Sequence, residues 1–115
     1  MIKLTMCCDV YHAYEKVGRF EIVDSKLIKN EVYTDNMIIR PFPATTPLFN
    51  ILEILRGRVI CESRCDKGML NHMGLDKYNW IDIFRHTHGV DIDDCIWFKF
   101  DEDPKDLTWD DVRVR

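Results

Sequence analysis

Two cysteines and three histidines in the second half of the chain have the residue types of a zinc site. Cys61 and Cys65 have a permitted ligand spacing, and His72, His86 and His88 follow. The segment from Cys65 to His72 is longer than a zinc knuckle, and His86 and His88 on one helix would point to different faces. The competing interpretation makes Cys61 a small buried residue and the histidines surface or capping residues. We therefore predict no metal site and no cofactor.

Carboxylates are the second chemical feature, and they are concentrated near the C-terminus. Residues 91–111 contain nine acidic and two basic residues, a local charge of about −7, whereas the whole chain has a formal charge of −4. Such a surface can occupy the positions of phosphates in a cationic channel and steer association, or it can simply keep a small protein soluble. The predicted partner-binding residues are Asp91, Asp93, Asp94, Asp101, Glu102, Asp103, Trp109, Asp110 and Asp111.

A short basic segment supports an alternative. Arg56, Arg58, Arg64 and Lys67 fall within twelve residues, and guanidinium groups match phosphate oxygens bidentately. Against this, the sequence pI is about 5.5, whereas nucleic-acid-binding domains usually have a basic footprint. The segment therefore predicts a second possible site, for nucleic acid or for a toxin partner.

Catalytic motifs are not found in the sequence. It contains no glycine-rich phosphate loop, no G-x-S-x-G and no H-E-x-x-H. Cys95 follows Asp93 and Asp94, and an acidic setting disfavours a nucleophilic thiolate. The acids resemble solvated turns more than a tuned acid/base pair. We therefore do not expect an enzyme.

Length and composition indicate one ordinary globular domain over residues 1–115. Hydrophobic residues make up 46% of the chain and charged residues 31%, which argues against disorder. No apolar run is long enough to span a membrane, and the first residues have too few apolar side chains for a signal peptide. Five cysteines are too few, and odd in number, for a disulfide framework. We expect a reduced protein of the bacterial cytoplasm without membrane association.

The elements that must position these groups are predicted from pattern. Residues 20–24, 27–33 and 37–40 are rich in β-branched and aromatic residues and are separated by turn formers, which predicts antiparallel strands. Residues 95–100 predict a further strand that buries either Ile96, Phe98 and Phe100 or the opposite set.

Three short helices are predicted between these strands. The first has Thr46 as N-cap, Pro47 at its first position and Gly57 closing it in the left-handed conformation. The second spans residues 66–73 with Asp66 as cap, and the third spans residues 79–88 with Asn79 as cap. A last helical turn is expected to begin at Thr108, with Asp111 three residues on.

The order of these elements predicts the fold class. N-terminal antiparallel strands, three short helices in the middle and a C-terminal strand rejoining the sheet indicate an α+β fold. A terminal strand is often a sheet edge, and edge strands pair between molecules unless charge protects them. The acids around residues 95–100 would give such protection, so we expect a monomer.

The second half of the chain also carries a combination of short motifs: Gly74-Leu75-x-x-Tyr78, Thr87-His88-Gly89, Asp93-Asp94-x-x-Trp97-x-Lys99-Phe100 and Leu107-Thr108-Trp109-x-Asp111-Val112. Over residues 56–115 this combination resembles a recurring set of small proteins from Firmicutes and their phages and mobile elements. The resemblance implies an origin more than a mechanism.

Small acidic phage proteins without catalytic residues are similar in kind to inhibitors of nucleic-acid-directed host defence, of which anti-CRISPR proteins are the best known. This similarity is one of size, charge and implied origin. It implies that the face formed by residues 91–111 binds a basic groove of a host defence nucleoprotein.

Overall fold

The computed structural model describes residues 3–113, in which three strands are followed by short helices, a fourth strand and a last helical turn. The strands are β1 (Met6–His12), β2 (Glu15–Val23), β3 (Lys26–Val32) and β4 (Ile96–Phe100). The helices are α1 (Leu48–Arg56), α2 (Lys67–His72), α3 (Trp80–Thr87) and the single turn α4 (Trp109–Val112), with a 3-10 turn at Glu62–Arg64. The α+β prediction is confirmed.

The four strands form one antiparallel sheet in the order β3-β2-β1-β4. β2 and β3 are joined by a two-residue turn, in which Asp24 and Ser25 both have positive φ, as type I′ hairpin turns require. β4 rejoins the sheet beside β1, with Val10 opposite Phe98. β3 and β4 are therefore the two edges of the sheet.

One face of the sheet carries the hydrophobic core. Alternate residues of β1, β2 and β4 point to this face and are buried against α1 and α3, because side chains alternate between the faces of a strand. Phe84 of α3 packs against Phe98 at a ring-centroid distance of 5.0 Å. The fully or nearly buried residues of this core include Met6, Cys8, Val10, Phe20, Ile22, Ile51, Leu55, Phe84, Ile96, Phe98 and Phe100.

The opposite face is polar, except beside β4. There the Trp97 side chain is buried, stacks on Tyr11 at 4.7 Å between ring centroids and donates its indole N–H to the Ala13 carbonyl. Of the two alternatives predicted for the last strand, the core set is Ile96, Phe98 and Phe100, and Trp97 is buried on the other side.

Helix starts follow the predicted side-chain caps. The Asp66 carboxylate accepts the Met69 N–H, and the Asn79 side chain accepts from two N–H groups at the start of α3. Thr108 and Asp111 form the reciprocal capping box of α4. These predictions are confirmed because each cap depends only on residues two or three positions away.

Three local predictions are wrong. Residues 37–40 form a turn rather than a strand, and the exposed Met37 and Ile38 side chains find no neighbouring strand. α1 begins one residue late, with Pro47 at its N-cap and without a side-chain cap bond. Gly57 has φ −65° and therefore does not close α1 in the left-handed conformation.

Candidate functional site

The acidic residues of the C-terminal segment lie in two groups at opposite ends of β4. Asp91, Asp93 and Asp94 precede the strand, and Asp101 and Glu102 follow it. A strand of five residues is about 16 Å long. After the second group the chain turns back, because Asp110 accepts a hydrogen bond of 2.6 Å from the Tyr14 hydroxyl at the β1–β2 turn. The predicted face is therefore an acidic border along the β4 edge, which we call the β4 acidic border (residues 91–111).

Asp94 is held by Arg58 in a bidentate ion pair. The guanidinium nitrogens lie 2.7 and 3.0 Å from the two carboxylate oxygens, and the same arginine donates to the Gly89 and Ile96 carbonyls. Partial burial raises the pKa of Asp94, but the hydrogen bonds from Arg58 and from the Ile96 N–H outweigh it and leave the pKa lowered. Asp94 therefore fixes the loop before β4 and is not available to a partner.

Asp101 is held in the same way by Arg19 of β2. Both Arg19–Asp101 contacts measure 2.8 Å, and Arg19 also contacts Asp9 and Glu21 on the polar face. The hydrogen bonds from Arg19 lower the pKa of Asp101, so its carboxylate stays charged well into the acid range. One half of this side chain remains exposed.

Each outward-pointing N–H group of β4 has a hydrogen-bond acceptor within the chain. The Ile96 N–H donates to the Asp94 carboxylate at 3.0 Å, and the Phe100 N–H donates to the Asp103 carboxylate at 2.8 Å. Between them the Phe98 N–H donates to the His88 carbonyl at 2.9 Å. Acids therefore protect this edge as expected: the Asp94 and Asp103 carboxylates accept the N–H groups that a neighbouring strand would otherwise bind.

The last turn of the chain packs beside the Tyr11–Trp97 stack. Trp109 is half-buried and lines a cavity of about 210 Å³ together with Tyr11, Tyr14 and Trp97. The hydrogen bond to Asp110 raises the pKa of Tyr14. Trp109 therefore lies at the margin of the β4 acidic border, and the exposed part of its side chain is accessible to a partner.

Five of the nine acids have no lysine or arginine within 4 Å in the part of the chain that the structure describes. Four others pair with arginine: Asp94 with Arg58, Asp101 with Arg19, Glu102 with Arg85, and Asp110 with Arg113. Of those four, Glu102 is the most exposed, and its contact measures 3.6 Å. The acids without a lysine or arginine partner are Asp91, Asp93, Asp103, Asp106 and Asp111, and of these Asp103 lies 3.2 Å from His88.

The arginines that neutralise the acidic border were not identified from the sequence. Arg19 is 82 residues from Asp101, and Arg58 is 36 residues from Asp94. The Arg19–Asp101 pair forms only in a sheet in which β1 lies between β2 and β4. The Arg58–Asp94 pair forms only when α1 packs on the sheet. No local spacing in the sequence indicates them.

The basic segment is divided by the fold. Arg58 is only 10% exposed and is fully engaged with Asp94 and two carbonyls, so it cannot contact phosphate. Arg56, Arg64 and Lys67 are exposed, and none has an acidic partner within 4 Å among residues 3–113. Three free cations therefore remain of the four that were predicted.

The zinc ligands are not brought together. Among residues 3–113 no group of three His, Cys, Asp or Glu side chains could hold a metal ion, and Cys61 is exposed rather than buried. His72, His86 and His88 all line one cleft, although they form no metal-binding group among the described residues. His88 ends α3 in the left-handed conformation, and its Nε2 lies 3.2 Å from the Asp103 carboxylate.

The fold and the border together define a small α+β protein with one acid-closed sheet edge and surplus carboxylates beside it. No family model, no curated protein and no solved structure matches the chain. Among residues 3–113, no helix is long and apolar enough to cross a membrane.

Proposed function

We propose that this chain is a non-enzymatic binding protein whose β4 acidic border engages a basic, nucleic-acid-binding groove of a host defence nucleoprotein, in the manner of anti-CRISPR inhibitors. The observation that supports this function is the set of exposed acids around β4, of which Asp93 and Asp106 have no lysine or arginine within 4 Å among residues 3–113. A soluble protein can use surface acids for solubility alone, but here the acids lie at both ends of a hydrogen-bonded strand.

The frame beneath these acids makes them suited to mimic phosphates. β4 is bonded to β1 on one side, and its outer N–H groups are bonded to Asp94, His88 and Asp103 on the other. Charges on a rigid frame lose little conformational entropy on binding and create a fixed potential that steers a basic partner. Binding should therefore weaken steeply as salt is raised.

The two kinds of acid have different roles in this proposal. Asp94 and Asp101 are bound by arginine and shape the loops at the two ends of β4. Asp93 and Asp106 are exposed and make no described side-chain hydrogen bond, and Glu102 is held by one long contact. Charge reversal at these three removes negative charge without dismantling the edge.

The test compares two triple variants with equal change in net charge. The border variant is Asp93→Lys, Glu102→Lys and Asp106→Lys, and the control variant reverses Asp35, Glu53 and Asp76, which are exposed acids outside residues 91–111. Each immobilised protein is exposed to a bacterial lysate at low salt, and bound nucleoprotein is eluted by rising salt or by added single-stranded DNA.

We expect wild type and the control variant to retain a nucleoprotein that single-stranded DNA displaces, and we expect the border variant to lose it. Each exposed charge pair is worth a few tenths to 1 kcal/mol, so loss of three such pairs should weaken binding by about 5- to 150-fold. Equal retention by the border and control variants would refute the proposal.

A second function is supported by the three exposed cations Arg56, Arg64 and Lys67, which could contact phosphates directly. Recovery of nucleic acid without protein on the immobilised chain, lost in Arg56→Ala, Arg64→Ala and Lys67→Ala together, would favour this function. Arg58→Ala does not belong in that variant, because Arg58 holds the loop before β4.

A further inference from the structure

At the β3 edge of the sheet the outward N–H groups are open, while the Asn30 side chain donates to the Pro43, Ala44 and Thr46 carbonyls of the same chain. Tyr33 donates its N–H to the Val17 carbonyl, which sets the alternation of the β2–β3 ladder. The N–H groups of Asn30 and Val32 consequently point away from β2, and neither has an acceptor among residues 3–113. An open edge of this kind can accept a further strand.

Only the first half of β3 is protected against such pairing. The register jumps from Glu21–Lys29 to Ile22–Leu27, so Ile28 is a bulged residue without a partner on β2. A bulge twists the edge locally and disfavours extension of the pairing beyond Ile28. The segment from Lys29 to Val32 keeps a regular register, and Tyr33 beyond it is 51% exposed.

We propose that a second copy of this chain pairs with that segment, β3 against β3, in an antiparallel arrangement whose two-fold axis passes through Asn30. Asn30 then lies opposite Asn30 of the second copy. Lys29 of each copy lies opposite Glu31 of the other, which gives two Lys–Glu pairs. In an antiparallel ladder the hydrogen-bonded pairs must join residues whose backbone groups both point outward, which this register satisfies. The two sheets become one sheet of eight strands.

Charge selects this register over its neighbours. An axis through Lys29 would place two lysines directly opposite each other, and an axis through Glu31 would place two glutamates so. Directly opposed like charges on a sheet are destabilising, whereas opposed Lys and Glu are favourable. Lys29 and Glu31 already lie side by side in one chain at 3.3 Å, both exposed, so the dimer alternates four charges on one face.

Apolar side chains flank the charged pairs on both sides of the axis. In the same register Ile28, which is 59% exposed, lies near Val32 of the second copy, and the exposed Tyr33 lies beyond it. Removal of these groups from water adds to the backbone hydrogen bonds. The monomer predicted from the sequence depends only on the acids around residues 95–100, which do not protect the β3 edge.

The first test is sedimentation equilibrium of the full chain from about 10 μM to 1 mM, with Val32→Pro beside wild type. Proline removes an N–H that the chain itself does not use, so the variant should fold while its edge can no longer pair. We expect a monomer–dimer equilibrium in wild type and a monomer in the variant. A wild type that stays monomeric to 1 mM would leave the edge to a strand of another protein and overturn the proposal.

The second test swaps the charges. Lys29→Glu alone and Glu31→Lys alone each replace two opposite-charge pairs by two like-charge pairs, which should weaken dimerisation about tenfold or more. The double variant with Lys29→Glu and Glu31→Lys restores both pairs and should restore the dimer. Dimerisation that ignores the single changes, or that the double variant does not recover, would place the interface elsewhere on the molecule and overturn the proposal.

Discussion

The two edges of the sheet differ in what their outward N–H groups meet. At β4 the N–H groups of Ile96, Phe98 and Phe100 are bonded to Asp94, His88 and Asp103. At β3 the N–H groups of Asn30 and Val32 have no acceptor in residues 3–113. Exposed edge strands can pair with other chains. In this protein β4 is protected by hydrogen bonds to its outward N–H groups, whereas β3 is protected only by a bulge and a lysine.

This difference shows that the concentration of acids near the C-terminus has two causes. Asp94 and Asp103 replace a neighbouring strand, and Asp111 caps α4, so part of the charge is structural. Asp93 and Asp106 do neither, and they are the acids on which the proposed function depends. Charge reversal at structural acids would confuse loss of binding with loss of folding.

The largest expected loss of stability comes from a substitution at Gly89, which packs against Phe98 of β4. This residue has φ +67°, and a Cβ there would lie 2.5 Å from a Phe98 ring atom and 2.7 Å from a Phe84 ring atom. Backbone strain and overpacking should together cost about 4 kcal/mol in Gly89→Ala. Urea unfolding measures this cost.

Gly74→Ala is the matched control for that substitution. Gly74 also has positive φ, at +75°, but a Cβ there meets nothing within 4 Å. It should lose only the strain, about 1 kcal/mol. Equal losses in the two variants would show that the contact of Gly89 with the β4 core has no energetic weight.

The next effect removes the arginine that holds the loop before β4. Arg58→Ala leaves Asp94 and two carbonyls without their donor and should lower the free energy of unfolding by about 2 to 3 kcal/mol, somewhat less than for a fully buried pair because Asp94 is one-third exposed. Arg56→Ala, two residues earlier and exposed, should change it by less than about 0.5 kcal/mol. A comparable loss in both variants would contradict the structural role of Arg58.

How much of this arrangement could be predicted from the sequence depends on the distance along the chain. The caps at Asp66, Asn79 and Thr108 were predictable because each bond closes within three residues. The Arg19–Asp101 pair requires the order of strands in the sheet, which local pattern does not contain. The acids could therefore be found from the sequence, but not which of them the fold would neutralise.

The false strand at residues 37–40 illustrates the same limit. Met37, Ile38 and Ile39 have the composition of a strand, but strand formation depends on a neighbour with which to pair. The segment follows β3 at the open edge and turns away before it could add a fifth strand. Composition predicted extended structure there, whereas the segment forms a turn and pairs with no strand of the sheet.

A smaller effect concerns acid stability at the far end of β4. The pKa of Asp101 is lowered in the folded protein, so its contribution to stability is complete above its unfolded pKa of about 3.9 and is lost as pH falls through the lower folded value. Asp101→Asn should therefore cost less than about 1 kcal/mol at pH 7, because the pair is half-exposed, and progressively less as the pH falls below the unfolded pKa. Urea midpoints of wild type and variant between pH 2 and 7 should converge in acid, and a constant difference would exclude the ion pair as the cause.

The smallest expected effect sharpens the comparison at the open edge. Val32→Pro removes an N–H that points away from β2 and should change the free energy of unfolding of the monomer by no more than about 0.5 to 1 kcal/mol. Glu31→Pro, one residue earlier, removes an N–H that the alternation assigns to the β2 ladder and should cost at least about 2 kcal/mol more. Dilute samples keep the dimer from contributing to either value. At β4 the same comparison has no tolerant position, because Phe98 uses its outward N–H for His88 while Lys99 lies in the ladder to β1. A chain that tolerated proline no better at Val32 than at Glu31 would have both edges closed, and the contrast between β3 and β4 would fail.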